Sequence, residues 1–240
     1  FGAASAEILV EERISGPEMS AFALLDGADA VWLGSAQDHK RAFDGDKGPN
    51  TGGMGAISPS PFETDTLRAE VMENIIRPVA QGMADEGTPY RGILYAGLML
   101  TKSGPQIIEF NCRFGDPEAQ TILPRLKTDF LSALLTQAEG GLSHFDMQLL
   151  DDVAVTVVMA ANGYPDAYEK GSEIRGAEDL NDGSLVFHAG TSRKHNGALV
   201  SAGGRVLGSH CQQVTPDPTD LCRHSSNRFL GFDLAFLRFS

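Results

Sequence analysis

A carboxylate, an amide and a guanidinium occur at every second position near the middle of the chain. Glu109, Asn111 and Arg113 lie in the segment IIEFNCRFGDPE, which begins as an apolar run. Because strand residues alternate between faces, a strand here would point these side chains in one direction, about 6.5–7 Å apart. Mg²⁺ takes oxygen ligands and commonly shares them with substrate phosphates, and arginine stabilises charge on a phosphoryl group in transfer. The pattern predicts a site for a metal-bound polyphosphate; the alternative interpretation is the solvated face of an edge strand.

The residues around this row are expected to anchor it. Ile108, Phe110 and Cys112 alternate with the polar positions and are predicted to face a core. Asp116 and Pro117 are typical of the N-cap and first residue of a helix, so the strand is expected to end in a tight turn. The polar row would then lie where a strand gives way to a helix.

The stretch 37–61, QDHKRAFDGDKGPNTGGMGAISPSP, is the second informative part of the chain. It is rich in Gly, Pro, Asp and Asn, and loops of this length in a compact domain are usually functional or disordered. Its varied composition and the basic cluster at 38–41 favour a binding loop, with a plain surface loop as the alternative for any single residue. The glycines within 52–55 are expected to offer backbone N–H groups to an anion.

Composition excludes several classes of partner. The 240 residues carry a formal net charge of −13, from 19 basic and 32 acidic residues. This argues against nucleic-acid binding, which needs a basic surface, but not against nucleotides, whose charge a metal ion offsets. Three cysteines give neither a disulfide framework nor a zinc pattern, which favours a reducing compartment such as the cytoplasm. No apolar run approaches the roughly 18 residues that a membrane span needs. The oligomeric state is left open.

Apolar periodicity predicts an α+β fold: an antiparallel sheet with flanking helices, followed by a small β-rich C-terminal domain. The predicted strands are 6–12, 19–25, 30–34, 92–101, the segment around 107–111, 151–161, 185–189 and 198–207. The predicted helices are 63–86, with a kink at Pro78, then 118–126 and 129–138. The strand 92–101 is expected to pair antiparallel with the strand that carries the polar row. The predicted domains are 1–150, 151–207 and a divergent tail, 208–240.

Two long motifs in order, QDHKRAFDGDKGPNTGGMGAISP and IIEFNCRFGDPEAQTILPRL, resemble the phosphoribosylamine–glycine ligase family, also called glycinamide ribonucleotide synthetases. The likeness runs from about residue 8 to about residue 207. It implies an ATP-grasp fold and ligation of glycine to 5-phosphoribosylamine through an acyl-phosphate. The products would be glycinamide ribonucleotide, ADP and phosphate, in purine biosynthesis. ATP would be the co-substrate, with Mg²⁺ or Mn²⁺.

The resemblance also implies roles for single residues. Glu109 and Asn111 match metal ligands, and Arg113 matches a catalytic arginine beside the transferring phosphoryl group. The implied ATP-binding residues are Glu11 and Glu12, as the adenine hinge, and Glu18, as the ribose contact. The implied substrate-binding residues are Asp38, His39, Lys40, Arg41 and Asp44. From the residues alone, Glu11 and Glu12 are equally consistent with a strand end that faces water.

The chain also departs from the family pattern. Family members carry an N-terminal doubly wound domain and a small ATP-grasp subdomain whose lysine reaches the nucleotide phosphates, and neither is recognised in this sequence. We therefore expect a fragment with weak or absent ligase activity alone. One alternative is a non-catalytic nucleotide-binding remnant that needs a partner chain. Another is a different ATP-grasp ligase such as a carboxylase, against which the stretch 37–61 argues. A truncated, frame-shifted or fused coding sequence would explain the tail.

Overall fold

The computed structural model describes residues 6–27, 29–43, 45, 47–177 and 184–213, together with the backbone of residues 234–235. The strands are β1 (Glu18–Asp26), β2 (Ala30–Asp38), β3 (Arg41–Phe43), β4 (Lys47–Asn50), β5 (Gly55–Ser58), β6 (Arg91–Thr101), β7 (Gly104–Asn111), β8 (Val153–Ala161), β9 (Leu185–His188), β10 (Thr191–Arg193), β11 (Leu199–Ser201), β12 (Arg205–Gln213) and β13 (Leu234–Ala235). The helices are α1 (Asp65–Val71), α2 (Arg77–Asp85), α3 (Glu118–Ile122) and α4 (Phe130–Glu139). Within this described part, no helix is both long and apolar enough to cross a membrane.

One antiparallel sheet organises these elements, in the order β7-β6-β1-β2-β5-β8-β12-β9, with β13 beside β8. This confirms the α+β prediction and the pairing of β6 with β7, and β1 pairs antiparallel with β2. The sheet is continuous across residue 150, because Gly55 of β5 pairs with Val157 of β8. The division into domains at residue 150 stays a prediction.

Helices α1 and α2 cover one face of β1 and β6. They form a single predicted amphipathic segment, joined by a π-helical turn at Met72–Ile76 just before Pro78. Val71, Ile76 and Ala80 are fully buried against the sheet residues of this face. The N-cap is Thr64, whose hydroxyl accepts from the N–H of Leu67. The helix predicted over 63–86 is therefore confirmed, with the irregularity in the turn before the proline.

Helices α3 and α4 cover the opposite face of the same strands. Phe22 of β1 and Leu33 of β2 pack with Ile122 of α3, and all three are fully buried. A side-chain cap from Asp129 starts α4, and Gly140, with φ of 78°, ends it, close to the bounds of the helix predicted over 129–138. The polar residues of β1, β6 and β7 that form the candidate site lie on this face, beside the start of α3.

Strand β7 is an edge strand, and the prediction of a core beneath it is wrong. Ile108 is 41% exposed and Phe110 39%, and Cys112 is exposed as well. The alternation is also broken, because Gly97 pairs with Glu109 while Leu98 pairs with Ile107, which leaves Ile108 as an extra residue in a β-bulge. The apolar side chains of β7 therefore lie at the rim of the sheet.

The strand predicted over residues 6–12 is also wrong. This segment lies outside the sheet, and Ile8, Leu9 and Val10 are 80%, 82% and 83% exposed. The chain first joins the sheet at Pro17, whose carbonyl accepts from the N–H of Leu100. An apolar run forms a strand only where another strand can pair with it.

The last strands extend beyond their predicted ends. The stretch predicted over 198–207 is two strands, β11 and β12, and β12 continues to Gln213 between β8 and β9. It lacks a clear alternation because it is buried on both faces, with the polar Ser209 and His210 inside. The first residues of the predicted tail are therefore sheet, and residues 214–233 and 236–240 lie outside the described residues.

Candidate active site

The predicted row of polar side chains converges in the structure. Asn111 Nδ2 donates to Glu109 Oε1 at 3.1 Å, so the two side chains lie on one side of β7. Arg113 follows the end of β7, and its Nη1 donates to the carbonyl of Phe114 at 2.8 Å. All three polar residues line one cavity of about 140 Å³. Gly97 on β6 leaves the space for this arrangement, because a Cβ there would lie 3.3 Å from Glu109 Cγ.

Two adjoining cavities meet at this row. The residues common to both are Asp38, Lys40, Tyr95 and Glu109. The first cavity is completed by Glu18, Met19, Ser20, Gly97, Leu98 and Ile108. The second cavity is completed by Thr51, Gly52, Asn111, Arg113, Gly115, Asp116 and Glu118. The first cavity is narrow, about 20 Å³, so it outlines only part of any ligand that binds there. The four shared residues could contact a ligand in either cavity.

Lys40 provides the cation between the cavities. Its ammonium lies 3.1 Å from Glu18 Oε2, and both side chains are about half exposed. Burial opposes the charged form of Lys40, but the hydrogen bond to Glu18 and the charge of that carboxylate raise the pKa of the lysine above its ordinary value. The lysine therefore stays protonated beside the row.

Two buried carboxyl groups form the floor of the site. Burial, followed by the nearby charge of Glu118, raises the pKa of Asp38 to about 7, against the opposing charges of Lys40 and Arg205. Burial also raises the pKa of Glu118, whose Oε1 accepts from the hydroxyl of Ser20 at 3.3 Å. The floor therefore holds carboxyl groups that ionise less readily than exposed ones.

The structure does not bring every predicted residue to this place. Glu11 and Glu12 are exposed in the segment before β1 and line neither cavity as the described residues define them. Arg41 donates to the carbonyl of Gly48 at 2.8 Å within the hairpin of β3 and β4. His39 is likewise absent from the described lining of both cavities. Asp44 lies outside the described residues.

The backbone N–H groups of the glycine-rich turn donate to other groups of the protein. The prediction that they are available to an anion is therefore wrong for these groups. The N–H of Gly52 donates to Tyr164 Oη at 3.1 Å, and that of Gly53 to Thr51 Oγ1 at 3.1 Å. The N–H of Met54 donates to the carbonyl of His39 at 2.8 Å. An anion in the second cavity would therefore meet the side chains of lysine and arginine rather than these backbone groups.

Asp116 pairs with an arginine instead of capping a helix. Helix α3 starts at Glu118 after Pro117, with no side-chain cap, so the predicted N-cap role of Asp116 is wrong. Its carboxylate instead pairs with Arg205, 3.1 Å from Nη2, and accepts from Gln120. The local sequence favours an N-cap at Asp116, but the residue instead pairs with Arg205, which is distant in the sequence.

Sequence reasoning missed several residues of the site. Tyr95 and Ser20 lie within apolar strands, and the hydroxyl of Ser20 contacts the Tyr95 hydroxyl at 3.3 Å. The signal available for Tyr95 was its position two residues before Gly97, on the face that Glu109 shares. Arg205 had no such signal, because its partners are 89 or more residues away.

Comparison with known proteins identifies the family. Residues 1–119 match the family model of the phosphoribosylglycinamide synthetase ATP-grasp (A) domain, and residues 154–217 match that of the C domain of the same synthetase. The chain is 52% identical over 209 residues to a phosphoribosylamine–glycine ligase of Caulobacter vibrioides, which covers 86% of this chain and 49% of that protein. It is 51% identical over 238 residues to the ligase of Rhizobium meliloti, covering 99% of this chain and 56% of that protein.

A solved structure agrees. The crystal structure of phosphoribosylamine–glycine ligase from Thermotoga maritima superposes with a TM-score of 0.79 at 38% identity, covering 95% of this chain and 56% of that one. The chain thus spans about half the length of the curated relatives that it matches. Two matching domain models in the expected order and a shared fold support one conclusion: the chain belongs to the phosphoribosylglycinamide synthetase family, within the ATP-grasp fold.

Proposed function

We propose that this chain carries the metal and phosphoryl-transfer site of an ATP-dependent carboxylate–amine ligase that joins glycine to 5-phosphoribosylamine. The observation that carries the proposal is the convergence of Glu109 and Asn111 at the boundary of two cavities, with Arg113 beside them. The named relatives are phosphoribosylamine–glycine ligases, which supports this choice of substrates. The products would be glycinamide ribonucleotide, ADP and phosphate, as a step of purine biosynthesis.

The donor set fits a divalent cation that is shared with a nucleotide. No cluster of three or more His, Cys, Asp or Glu suited to a metal occurs among the described residues. Glu109 and Asn111 can supply two oxygen ligands, a number typical of Mg²⁺ sites completed by substrate phosphates and water. Bound there, Mg²⁺ or Mn²⁺ would screen the charge of the phosphates.

The residues of the chain then have separable tasks. Glu18 and Ile108 both line the first cavity. We assign Glu18 to accept from the ribose hydroxyls and Ile108 to offer an apolar surface to the adenine. Arg113 stabilises the charge that develops when a carboxylate oxygen of glycine attacks the terminal phosphorus and ADP leaves. The amine of 5-phosphoribosylamine then attacks the acyl carbon, phosphate leaves, and the amine loses a proton. Lys40 and Arg113 provide positive charge for the sugar phosphate in the second cavity.

Nucleotide binding and turnover should be measured separately, because the chain spans half the length of its relatives. We expect the 240-residue protein to bind Mg·ATP in calorimetry and to release little or no ADP in response to glycine and 5-phosphoribosylamine. A chimera that carries residues 18–213 in place of the matching segment of the Thermotoga maritima ligase should turn over. If the protein does not bind Mg·ATP, the proposal is wrong.

A second candidate, which the same two cavities would also suit, is a non-catalytic nucleotide-binding module. It predicts binding of Mg·ATP by the chain and no turnover by the chimera. Turnover by the chimera excludes it.

The cellular setting is part of the same proposal. Cys112 carries an exposed thiol that is not in a disulfide. A reducing compartment, the cytoplasm, suits such a protein and its small-molecule substrates.

A further inference from the structure

The wall of the second cavity includes a glycine-rich turn that is held partly by contacts from distant parts of the chain. Thr51 and Gly52 line the cavity, and Gly53 follows with φ of +104°. Two successive glycines leave a backbone with wide conformational freedom, so contacts from elsewhere must fix it. Thr51 is tied to Lys40, whose carbonyl accepts from its N–H at 2.8 Å and from its hydroxyl at 2.9 Å.

Arg205 supplies further contacts from the C-terminal part of the sheet. Its Nη1 donates to the carbonyls of Gly52, Gly53 and Asp116 at 2.6, 3.3 and 2.9 Å. Its Nη2 lies 3.1 Å from Asp116 Oδ2, so the planar guanidinium bridges the turn and the start of α3. Arg205 is the first residue of β12, which therefore holds both segments in place.

The turn is held closely on both sides. A Cβ on Gly52 would lie 3.1 Å from Cζ of Arg205, so the guanidinium packs directly against the backbone. On the other side, the hydroxyl of Tyr164 accepts from the N–H of Gly52. Arg205 is not part of the described lining of either cavity. It acts on the lining through its hydrogen bonds to Gly52 and Asp116, and its charge also lowers the pKa of Asp38 against the larger effect of burial.

We propose that Arg205 is a positioning residue for the second cavity and sets the affinity for the sugar-phosphate substrate, but not for the nucleotide. This rests on the proposed function, because that function assigns the sugar phosphate to the second cavity. The residues that complete the first cavity belong to β1, β6 and β7, and Arg205 has no described hydrogen bond to any of them. The C-terminal strand thus contributes to substrate recognition without contacting the substrate.

Calorimetry on the 240-residue protein tests the inference with D-ribose 5-phosphate, a stable sugar phosphate, as the probe. We expect Arg205→Met to bind this probe about tenfold more weakly in saturating Mg·ADP, because a charged hydrogen-bond donor to three carbonyls is lost. The affinity for Mg·ADP should stay within about twofold. Arg205→Lys should be intermediate, since an ammonium keeps the charge but not the fork of donors. Arg175→Met, an exposed arginine paired with Glu173, is the matched control.

Amide hydrogen exchange gives a readout that needs no ligand. The N–H groups of Gly52 and Gly53 should exchange about tenfold faster in Arg205→Met, while those of β8 stay protected. Unchanged exchange at the turn overturns the inference. An equal loss of affinity for both ligands, or no loss for the probe, overturns it as well.

The two proposals fail in different ways. A wild-type protein that binds Mg·ADP but not the probe overturns the role assigned to Arg205 and leaves the nucleotide site intact. A wild-type protein that does not bind Mg·ADP contradicts the proposed function itself, and the exchange rates at Gly52 and Gly53 then decide alone whether Arg205 holds the turn.

Discussion

The ammonium of Lys40 lies 3.1 Å from Glu18 Oε2, so a residue that lines both cavities is bound to one that lines only the first. A ribose hydroxyl that donates a hydrogen bond to Glu18 would therefore share this carboxylate with the ammonium of Lys40 or displace it. The contact links the nucleotide side of the site to the substrate side through one side chain.

The ribose contact predicts a preference among nucleotides. The wild-type chain should bind Mg·ATP more tightly than Mg·2′-deoxy-ATP, and Glu18→Gln should reduce that ratio about tenfold, because a hydrogen bond to a charged acceptor is lost. Calorimetry with both nucleotides measures it. Glu73→Gln, at an exposed helical position paired with Arg77, should leave the ratio unchanged. If the wild type and Glu18→Gln show the same ratio of affinities for the two nucleotides, Glu18 is not part of the nucleotide site.

Arg113 should act on the rate rather than on binding. In the chimera with the Thermotoga maritima ligase, Arg113→Ala should lower kcat by about 10²–10³-fold, because charge on the transferring phosphoryl group is no longer stabilised. The affinity for Mg·ATP should change little. Steady-state kinetics and calorimetry separate the two quantities. A variant that loses nucleotide affinity and keeps its kcat would assign Arg113 to binding instead.

The stability of the chain should depend on pH through Asp38. Its pKa is about 7 in the folded state and 3.8 in the reference state, and Oδ1 has no hydrogen-bond partner among the described residues. As the pH rises from about 4 to 7, the unfolded state loses this proton first, so the free energy of unfolding falls. Asp38→Asn removes this loss and should be more stable than the wild type at pH 8 by about 1–3 kcal/mol, relative to the difference at pH 4.

Denaturant unfolding of both proteins across this pH range provides the measurement. Asp166→Asn, an exposed aspartate, is the control and should show a pH-independent difference from the wild type. A difference between Asp38→Asn and the wild type that does not change with pH would show that Asp38 ionises normally.

His210 should produce the opposite dependence over nearly the same pH range. Burial lowers its pKa from 6.5 to about 4, and its Nδ1 lies 3.3 Å from the hydroxyl of Thr156. Between pH 6.5 and 4 the unfolded state gains a proton that the folded state refuses, so stability falls as the pH falls. Between pH 6.5 and 4, the free energy of unfolding of the wild type should fall by about 2–3 kcal/mol more than that of His210→Gln.

Urea unfolding at pH 7 and at pH 4.5 checks this expectation. His195→Gln, at an exposed position, should retain the wild-type dependence. If His210→Gln loses as much stability on acidification as the wild type, the buried imidazole is not the cause.

How much could be predicted from sequence depended on whether the determining contact was local. The hairpin of β6 and β7 and the convergence of Glu109 with Asn111 follow from alternation along one strand. The extra residue at Ile108 does not, because a β-bulge leaves no mark in the spacing of polar residues. The exposure of Phe110 depends on which strand lies beside β7, and a single sequence cannot show that.

The failures in the glycine-rich turn have the same origin. Gly52 donates its N–H to Tyr164, 112 residues away, so this donor of the predicted anion site already has a partner. Asp116 pairs with Arg205 rather than capping α3, although its local sequence is typical of a cap. The roles of the individual site residues stay predictions until they are tested.

The magnesium dependence of ATP binding tests the central claim most directly. Calorimetry should show that the wild-type chain binds ATP with Mg²⁺, and that Glu109→Gln weakens this binding about tenfold or more, because a charged oxygen ligand is lost. Glu139→Gln, at the exposed end of α4, should bind as the wild type does. Equal affinity of Glu109→Gln and the wild type, with no effect of removing Mg²⁺, would contradict a metal-bound nucleotide at this row.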